Sequence, residues 1–232
     1  MGPNPLWLTE SVVETIDIEP GMNVLDLGCG RALSSIFLAK EFGARVWATD
    51  LWIPAAENQQ RIVAAGVADL VTPIHAEAHA LPFASSFFDA IISIDAYQYF
   101  GTADLYLGYL IDFLKAGQQI GIAVPAVTRE IGVDVPSSLR PFWEWEFCSW
   151  HSAQWWRTHW AKTGLVDVNQ AETISDGWSD WLRFNDYIAP FVEGWWVDEV
   201  AKTHDMLTAD NGEVIGFARL VGTKRASPSF ST

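Results

Sequence analysis

The residues best suited to binding chemistry lie between positions 24 and 40. Val24, Leu25 and Leu27 make a short, mainly apolar run, Gly28 and Gly30 follow it, and residues 33–40 place apolar side chains at helical spacing. This pattern predicts a strand, a glycine turn and a helix. Glycine has no Cβ, so a ligand can approach the backbone closely, and the start of a helix presents free backbone N–H groups. We therefore expect the turn, which also contains Cys29, to bind a ligand.

The residues around the turn restrict the kind of ligand. A dinucleotide-binding turn has glycine at its first, third and sixth positions. Gly28 and Gly30 occupy the first two, but Leu33 stands at the sixth. Asp26, two residues before the first glycine, would repel a pyrophosphate and attract an ammonium or sulfonium group. The pattern favours a ligand with a positively charged centre over NAD.

The loop resembles the nucleotide loop of class I S-adenosylmethionine-dependent methyltransferases, whose pattern is acid-x-Gly-x-Gly-x-Gly. Asp26, Gly28 and Gly30 match this pattern, and Ala32 replaces the last glycine. The resemblance implies that Asp26, Gly28, Cys29 and Gly30 contact S-adenosylmethionine, and that S-adenosylhomocysteine is the product.

A second carboxylate follows the next predicted strand. Residues 45–50 read as a strand that ends at Asp50, a position that faces the ribose in doubly wound nucleotide-binding folds. A carboxylate there can accept both ribose hydroxyls. Leu51 and Trp52 come next and could pack on the adenine face. NAD enzymes share this feature, so Asp50 supports the fold more than the ligand.

The run from Glu77 to Asp95 distinguishes the two kinds of ligand. An acid–Ala pair, a Leu-Pro-Phe turn at residues 81–83 and a Phe-Asp strand start at residues 88–89 follow in order. This order resembles the methyltransferase signature, which NAD enzymes lack. The resemblance extends over roughly residues 20–125. It implies that Glu77 accepts a hydrogen bond from the adenine amino group and that the Ala78 N–H donates to a ring nitrogen.

Three further residues are candidates for contact with the reacting groups. Asp95 follows the fourth predicted strand, at the edge where open α/β sheets bind ligands, and is expected near the methionine part and the substrate. His151 and Tyr97 are candidate catalytic bases. A base is required only if the methyl acceptor must lose a proton.

Composition excludes several classes of partner. Of the 232 residues half are apolar, and the net charge is −15, which argues against nucleic acid or an anionic membrane surface. Cys29 and Cys148 do not form a disulfide framework, and no metal-type Cys/His spacing is present, so no metal is expected. There is neither a signal-peptide pattern nor an apolar run of membrane-spanning length. We expect a cytoplasmic protein.

Tryptophan is concentrated in one part of the chain. Ten of the 13 tryptophans follow residue 140. Such a cluster could form an aromatic cage around a cationic or planar substrate, or it could simply pack a core and a lid.

The strand and helix patterns predict an α/β fold, namely a Rossmann-like doubly wound seven-stranded sheet in a single domain of residues 1–232. Residues 2–5 contain two prolines and are expected to resist helix, so the first helix is predicted to begin near Thr9. The sixth strand is predicted over residues 165–168. A helical insertion over residues 172–210, before the last strand, is expected to be a lid or a dimer contact.

These observations lead to one main hypothesis and two alternatives. The main hypothesis is an S-adenosylmethionine-dependent methyltransferase that acts on a small molecule by direct in-line transfer. One alternative is a non-catalytic S-adenosylmethionine-binding partner protein, and a weaker one is an NAD-dependent oxidoreductase. The predicted partners are a small-molecule substrate and a second copy of the chain in a homodimer, with no nucleic acid and no membrane.

Overall fold

The computed structural model describes residues 2–226, so residues 1 and 227–232 of the predicted domain lie outside the described residues. Within this range the strands are β1 (Asn23–Leu27), β2 (Arg45–Asp50), β3 (Val71–His75), β4 (Phe88–Ile94), β5 (Leu114–Val127), β6 (Val166–Ile174) and β7 (Ile215–Lys224). The α-helices are α1 (Pro5–Val13), α2 (Leu33–Phe42), α3 (Ala55–Ala64), α4 (Tyr106–Asp112), α5 (Ala153–Ala161), α6 (Gly177–Ile188) and α7 (Trp196–Asp210). None of the described helices has the length and apolar character needed to cross a membrane.

The strands of residues 2–226 form one seven-stranded sheet with the order β3-β2-β1-β4-β5-β7-β6. β1 to β5 pair in parallel, whereas β7 runs antiparallel to both β5 and β6. Parallel strands joined by helices on both faces constitute the doubly wound arrangement. The structure confirms the predicted Rossmann-like fold.

Alternation along the central strands builds a core on each face of the sheet. Val24 packs into one apolar cluster and its neighbour Leu25 into the other, because successive side chains of a strand point to opposite faces. The first cluster includes side chains of α1, α2, α6 and α7, and the second includes side chains of α4 and α5. Both faces are buried, which explains why these strands are apolar at nearly every position.

The prediction for the first helix was wrong by about one turn. α1 begins at Pro5, not near Thr9, and the side chain of Asn4 caps it by accepting from the Leu6 N–H at 2.9 Å. Proline suits the first helical position because its φ is already helical and its missing N–H would have had no partner there.

The region before the last strand also differs from its predicted boundaries. β6 continues to Ile174, which pairs with Phe217, so residues 172–174 belong to the sheet. The helical pattern that follows is divided into α6 and α7, with a 3₁₀ turn over Ala189–Phe191 and Gly194, at a φ of +63°, between them.

Hydrogen bonds of three side chains attach the two helices to each other and to the sheet. The Asn185 side chain donates to the carbonyl of Val200 at 2.8 Å, and the Trp178 indole donates to the carbonyl of Leu207 at 2.9 Å. At the end of α7 the buried Asp210 carboxylate accepts from the backbone N–H of Val214 and, at 2.8 Å, from that of Ile215. Asp210 therefore fixes the start of β7.

Replacement of Asp210 by alanine should destabilise this junction. Asp210→Ala leaves two buried N–H groups unpaired, and we expect the free energy of unfolding to fall by about 2 kcal/mol or more. Urea denaturation followed by circular dichroism measures the change. Asp205→Ala, on the exposed face of the same helix, is the matched control and should change stability by less than about 0.5 kcal/mol. Equal losses of unfolding free energy in the two variants would contradict the role of Asp210 in fixing the start of β7.

Candidate functional site

The order of the sheet reverses between β1 and β4, and this reversal creates a crevice. The chain leaves β1 towards β2 and β3 on one side, and β4 and β5 lie on the other. In open α/β sheets the loops at the carboxyl ends of the strands diverge at such a point and form the ligand site. The predicted site residues at the carboxyl ends of β1 to β4 are Gly28, Gly30, Asp50, Glu77 and Asp95.

The two glycines of the loop have different steric reasons to be glycine. Gly28 has a φ of +73°, and a Cβ there would come within 2.4 Å of the Ala96 Cβ, so the loop packs closely against the chain after β4. Its N–H, like that of Cys29, donates to the carbonyl of Thr49. Gly30 has a φ of +52°, yet a Cβ there would meet no atom within 4 Å. The backbone at Gly30 therefore borders open space in which a ligand can approach it.

Side chains from two neighbouring elements hold both polar groups of Gly30. Its N–H donates to the Asp50 carboxylate at 2.8 Å, and its carbonyl accepts from the Asn58 side-chain amide at 2.8 Å. Asn58 is buried on α3, and Arg61 donates to its side-chain amide oxygen Oδ1. Sequence reasoning missed Asn58. A polar residue on the inward side of an amphipathic helix is the signal that could have identified it.

Asp26 lies buried beneath the loop. Ser34 and Ser35, in the first turn of α2, donate their hydroxyls to its Oδ2 at 2.6 and 2.5 Å. Its other oxygen, Oδ1, is buried and has no hydrogen-bond partner within residues 2–226. Burial raises the pKa of this carboxyl to about 6, although the two serine hydrogen bonds oppose the shift. A negative charge is thus held at the amino end of α2, where the helix dipole favours it.

Asp50 organises the turn that follows β2. Besides the Gly30 N–H on Oδ2, its Oδ1 accepts from the backbone N–H groups of Trp52 and Ile53, each at 2.8 Å. A carboxylate has about four lone-pair positions, so one remains available for a ligand hydroxyl. Binding of both ribose hydroxyls, as the sequence predicts, requires the turn at Trp52 to release one of its hydrogen bonds.

The residues expected at the adenine end are accessible. Leu51 and Trp52 are exposed, and Trp52 packs edge-to-face on Tyr99 at 5.2 Å. Glu77 is exposed, and the hydrogen bond that its Oε1 shares with the His79 ring at 2.7 Å lowers its pKa. The carbonyl of Ala78 accepts from a tyrosine hydroxyl of α4. The predicted adenine contacts of Glu77 and Ala78 stay predictions.

Asp95 has an unusual backbone conformation. Its φ is +53°, which is uncommon for a residue with a side chain, and such strain is concentrated at functional sites. Its N–H donates to the carbonyl of Ala123 on β5, and its Oδ2 accepts from the Gly2 N–H at 2.9 Å. Burial raises the pKa of Asp95, although the Gly2 hydrogen bond opposes the shift.

Asp95 also forms part of a larger cleft that opens to solvent. The cleft has a volume of about 150 Å³ and lies beneath α6 and α7. Its lining combines carboxylates with aromatic rings, namely Asp95, Glu144, Glu146 and Glu199 together with Tyr99, Phe142, Phe147, Trp150 and Trp181. Lys202 is the single cationic residue of this lining, and it is paired with Glu144.

The structure does not bring the two predicted bases into this lining. His151 stacks on Trp155 at 3.7 Å and pairs through Nδ1 with Glu130 at 3.0 Å. Tyr97 is fully buried among aromatic rings, and burial raises the pKa of its hydroxyl well above the usual value. A buried phenol of raised pKa is a poor base at neutral pH. These placements count against both residues as bases and leave Asp95 as the predicted residue nearest the cleft.

Comparison with known sequences agrees with the site. Residues 24–117 match the family model for the methyltransferase domain. Methyltransferase GfsG from Streptomyces halstedii is 30% identical over 117 residues, which are 50% of this chain and 42% of that protein. The chain spans less than half the length of the curated relatives that it matches.

Solved structures share the fold over nearly the whole chain. Phosphoethanolamine N-methyltransferase 2 from Haemonchus contortus aligns with a TM-score of 0.78 at 18% identity, over 97% of this chain and 54% of that one. The [4+2]-cyclase SpnF aligns with a TM-score of 0.74 at 18% identity, over 95% and 81%. At this identity the likeness is one of fold. Together with the match of residues 24–117 to the methyltransferase domain model, it agrees with the resemblance inferred from the sequence.

Asp26→Asn should change how stability depends on pH. The folded-state pKa of Asp26 is about 6 and its ordinary value is 3.8. Between these values the folded protein binds more protons than the unfolded chain, so its free energy of unfolding falls as pH rises, by about 3 kcal/mol in total. The variant cannot titrate at this position and should lack that fall. Urea denaturation of the original protein and of the variant at pH 4, 5, 6 and 7 measures the difference. If the free energy of unfolding depends on pH in the same way in both proteins, the raised pKa of Asp26 is contradicted.

Proposed function

We propose that this protein transfers a methyl group from S-adenosylmethionine to a small molecule. The observation that carries the proposal is that the Gly28–Gly30 loop, Asp50, Glu77 and Asp95 all lie at the carboxyl ends of β1 to β4, where the order of the sheet reverses between β1 and β4. The cleft beneath α6 and α7 begins at the last of these residues. In this proposal the glycine-loop side of the crevice binds the nucleotide, and the cleft at its other side binds the acceptor.

The residues present fit this cofactor. Gly30 borders open space, so the methionine part could lie against the backbone of the loop. Asp26 holds a buried negative charge with one oxygen unpaired among the described residues, which suits a positively charged ligand. Asp50 has one lone-pair position left for a ribose hydroxyl, and Leu51 is exposed beside it for the adenine. A pyrophosphate would face two carboxylates here, which disfavours NAD.

The chemistry needs little from the protein beyond positioning. When bound, S-adenosylmethionine supplies a methyl group to a lone pair of the acceptor while the electron pair of the broken C–S bond stays on sulfur, which leaves as a neutral thioether. Holding the two partners in line is worth about 7–11 kcal/mol. In this proposal the glycine loop and Asp50 orient the donor, and the cleft orients the acceptor. No acid is needed for the leaving group.

Asp95 lies between the glycine-loop side of the crevice and the cleft. Its strained backbone turns at the end of β4, and its carboxylate lines the cleft. If the acceptor atom carries a proton, that proton must leave as the new bond forms, and a carboxylate of raised pKa is a better base than an ordinary one. We assign this role to Asp95 in place of His151 and Tyr97. α6 and α7, which cover the cleft, are assigned as the lid. The homodimer and the cytoplasmic location stay predictions.

Similar proteins support a small-molecule acceptor. The Haemonchus contortus enzyme is described in complex with phosphomonomethylethanolamine and S-adenosylhomocysteine, and GfsG is named a methyltransferase. SpnF is named a cyclase, however, so the fold also hosts other reactions. Binding and transfer therefore need separate tests.

Calorimetric titration with S-adenosylhomocysteine tests the cofactor. We expect binding by S-adenosylhomocysteine and none by NAD. Asp50→Ala removes the acceptor for three backbone N–H groups and for a ribose hydroxyl, and should weaken binding by about tenfold to a hundredfold. Asp69→Ala, an exposed carboxylate before β3 and therefore at the opposite edge of the sheet, should leave binding unchanged. Binding by NAD alone would favour the oxidoreductase.

Incorporation of radiolabel from S-adenosyl-[methyl-¹⁴C]methionine into a panel of metabolites tests the transfer. A labelled small-molecule product would support the proposed activity. If S-adenosylhomocysteine binds but no member of a broad panel is labelled, the result favours the non-catalytic binding partner.

A further inference from the structure

The cleft beneath α6 and α7 has a strongly one-sided charge. The carboxylates of Glu146 and Glu199 form no hydrogen bond or ion pair with any other residue in the range 2–226. The ammonium of Lys202 is already engaged by Glu144. Glu146 and Glu199 therefore present to a bound molecule two negative charges that no described residue pairs.

The Tyr99 hydroxyl is influenced by two carboxylates of the cleft, those of Asp95 and Glu146. Its ring lines the cleft and is about half exposed. Burial, and after it the charges of Asp95 and Glu146, raise the pKa of the Tyr99 hydroxyl to about 12. One carboxylate lies at the end of β4 and the other in the segment before α5, so they approach the phenol from different parts of the chain.

A buried acceptor without a partner points to the same kind of ligand. Gln98 lines the cleft and is 3% exposed. Its Nε2 donates to the carbonyl of Asp95 at 3.2 Å, and since a carbonyl can only accept, this contact fixes the orientation of the amide. Its Oε1 is then left buried with no donor from the described residues. A donor on a bound molecule would satisfy it.

The aromatic residues of the cleft suit a cation as well. Trp150 stacks on Phe147 with ring centroids 4.0 Å apart and lies 5.9 Å from Trp181. All three line the cleft. The π faces of such rings attract organic cations, most strongly where carboxylates add to the negative potential.

We propose that the methyl acceptor binds this cleft as a small organic ammonium ion. The ammonium lies among Asp95, Glu146 and Glu199, its N–H donates to Gln98 Oε1, and its carbon skeleton packs on the tryptophans. The inference rests on the proposed function, because it names the substrate class of the same site. It does not require that the ammonium nitrogen is the atom that is methylated.

The test uses two sets of molecules that differ mainly in charge. The aromatic set is 2-phenylethylamine, 2-phenylethanol and 3-phenylpropanoate, and the aliphatic set is isobutylamine, isobutanol and isovalerate. Each is titrated into protein saturated with S-adenosylhomocysteine, with tryptophan fluorescence and calorimetry as readouts. We expect the amine of at least one set to bind about tenfold more tightly than its alcohol, and the carboxylate to bind weakest. Added salt should weaken the binding of the amine and leave the binding of the alcohol unchanged.

Variants assign the preference to the cleft. Glu146→Gln and Glu199→Gln change exposed positions where folding is preserved. Each should weaken binding of the amine about threefold to tenfold and leave binding of the alcohol unchanged. Glu193→Gln, an exposed carboxylate outside the lining, is the matched control. Equal or tighter binding by the alcohol or the carboxylate, or no binding by either amine, overturns the inference while S-adenosylhomocysteine binding stands. Failure of S-adenosylhomocysteine to bind instead overturns the proposed function.

Discussion

The hydrogen bond from the Gly30 N–H to Asp50 is the contact on which the site depends. It joins the loop after β1 to the turn after β2. The same carboxylate also accepts hydrogen bonds from the backbone N–H groups of Trp52 and Ile53 in that turn. Asn58 holds the opposite polar group of Gly30. Three elements that are separate in sequence thus keep the glycine loop in a conformation of positive φ, which an isolated chain would rarely adopt.

The site also keeps charge in places where a folded chain rarely tolerates it. The carboxylate of Asp26 is fully buried and satisfied on only one oxygen by the described residues. Its raised pKa means that the ionised form destabilises the folded protein at neutral pH. A purely structural position would be filled more stably by an apolar residue. A positively charged ligand nearby would offset part of this cost, which is why the residue makes physical sense at a binding site.

The elements that could be predicted are those that local pattern specifies. The central strands are apolar runs bounded by Gly, Pro or Asp, and Asp50 and Asp95 fall at their carboxyl ends by simple position along the chain. The start of α1 could not be read correctly, because proline is a helix breaker inside a helix and a favourable residue at its first turn. The length of β6 was missed for another reason. The part of β6 after residue 168 is largely polar and partly exposed, and only its pairing with β7 makes it a strand.

The acidic cleft lay beyond sequence reasoning because its members come from distant parts of the chain. Asp95, Glu146 and Glu199 are about fifty residues apart, and nothing in their neighbourhoods distinguishes them from the other acids of a chain with 29. Tyr97 and His151 show the reverse case. Their residue types suggest chemistry, but burial and stacking, which depend on tertiary packing, keep both out of the cleft lining.

The position of β7 between β5 and β6 has a consequence for folding. β6 pairs with no strand other than β7 in the described sheet, and β5 has a long apolar edge that β7 covers. During synthesis, β1 to β5 can assemble while residues 215–224 are still missing, and the free edge of β5 is then open to another chain. The sheet is completed only after α6 and α7, which precede β7 in the chain, have been made. A chain truncated before Ile215 would lose β6 as well, and would leave an aggregation-prone edge in place of the natural one.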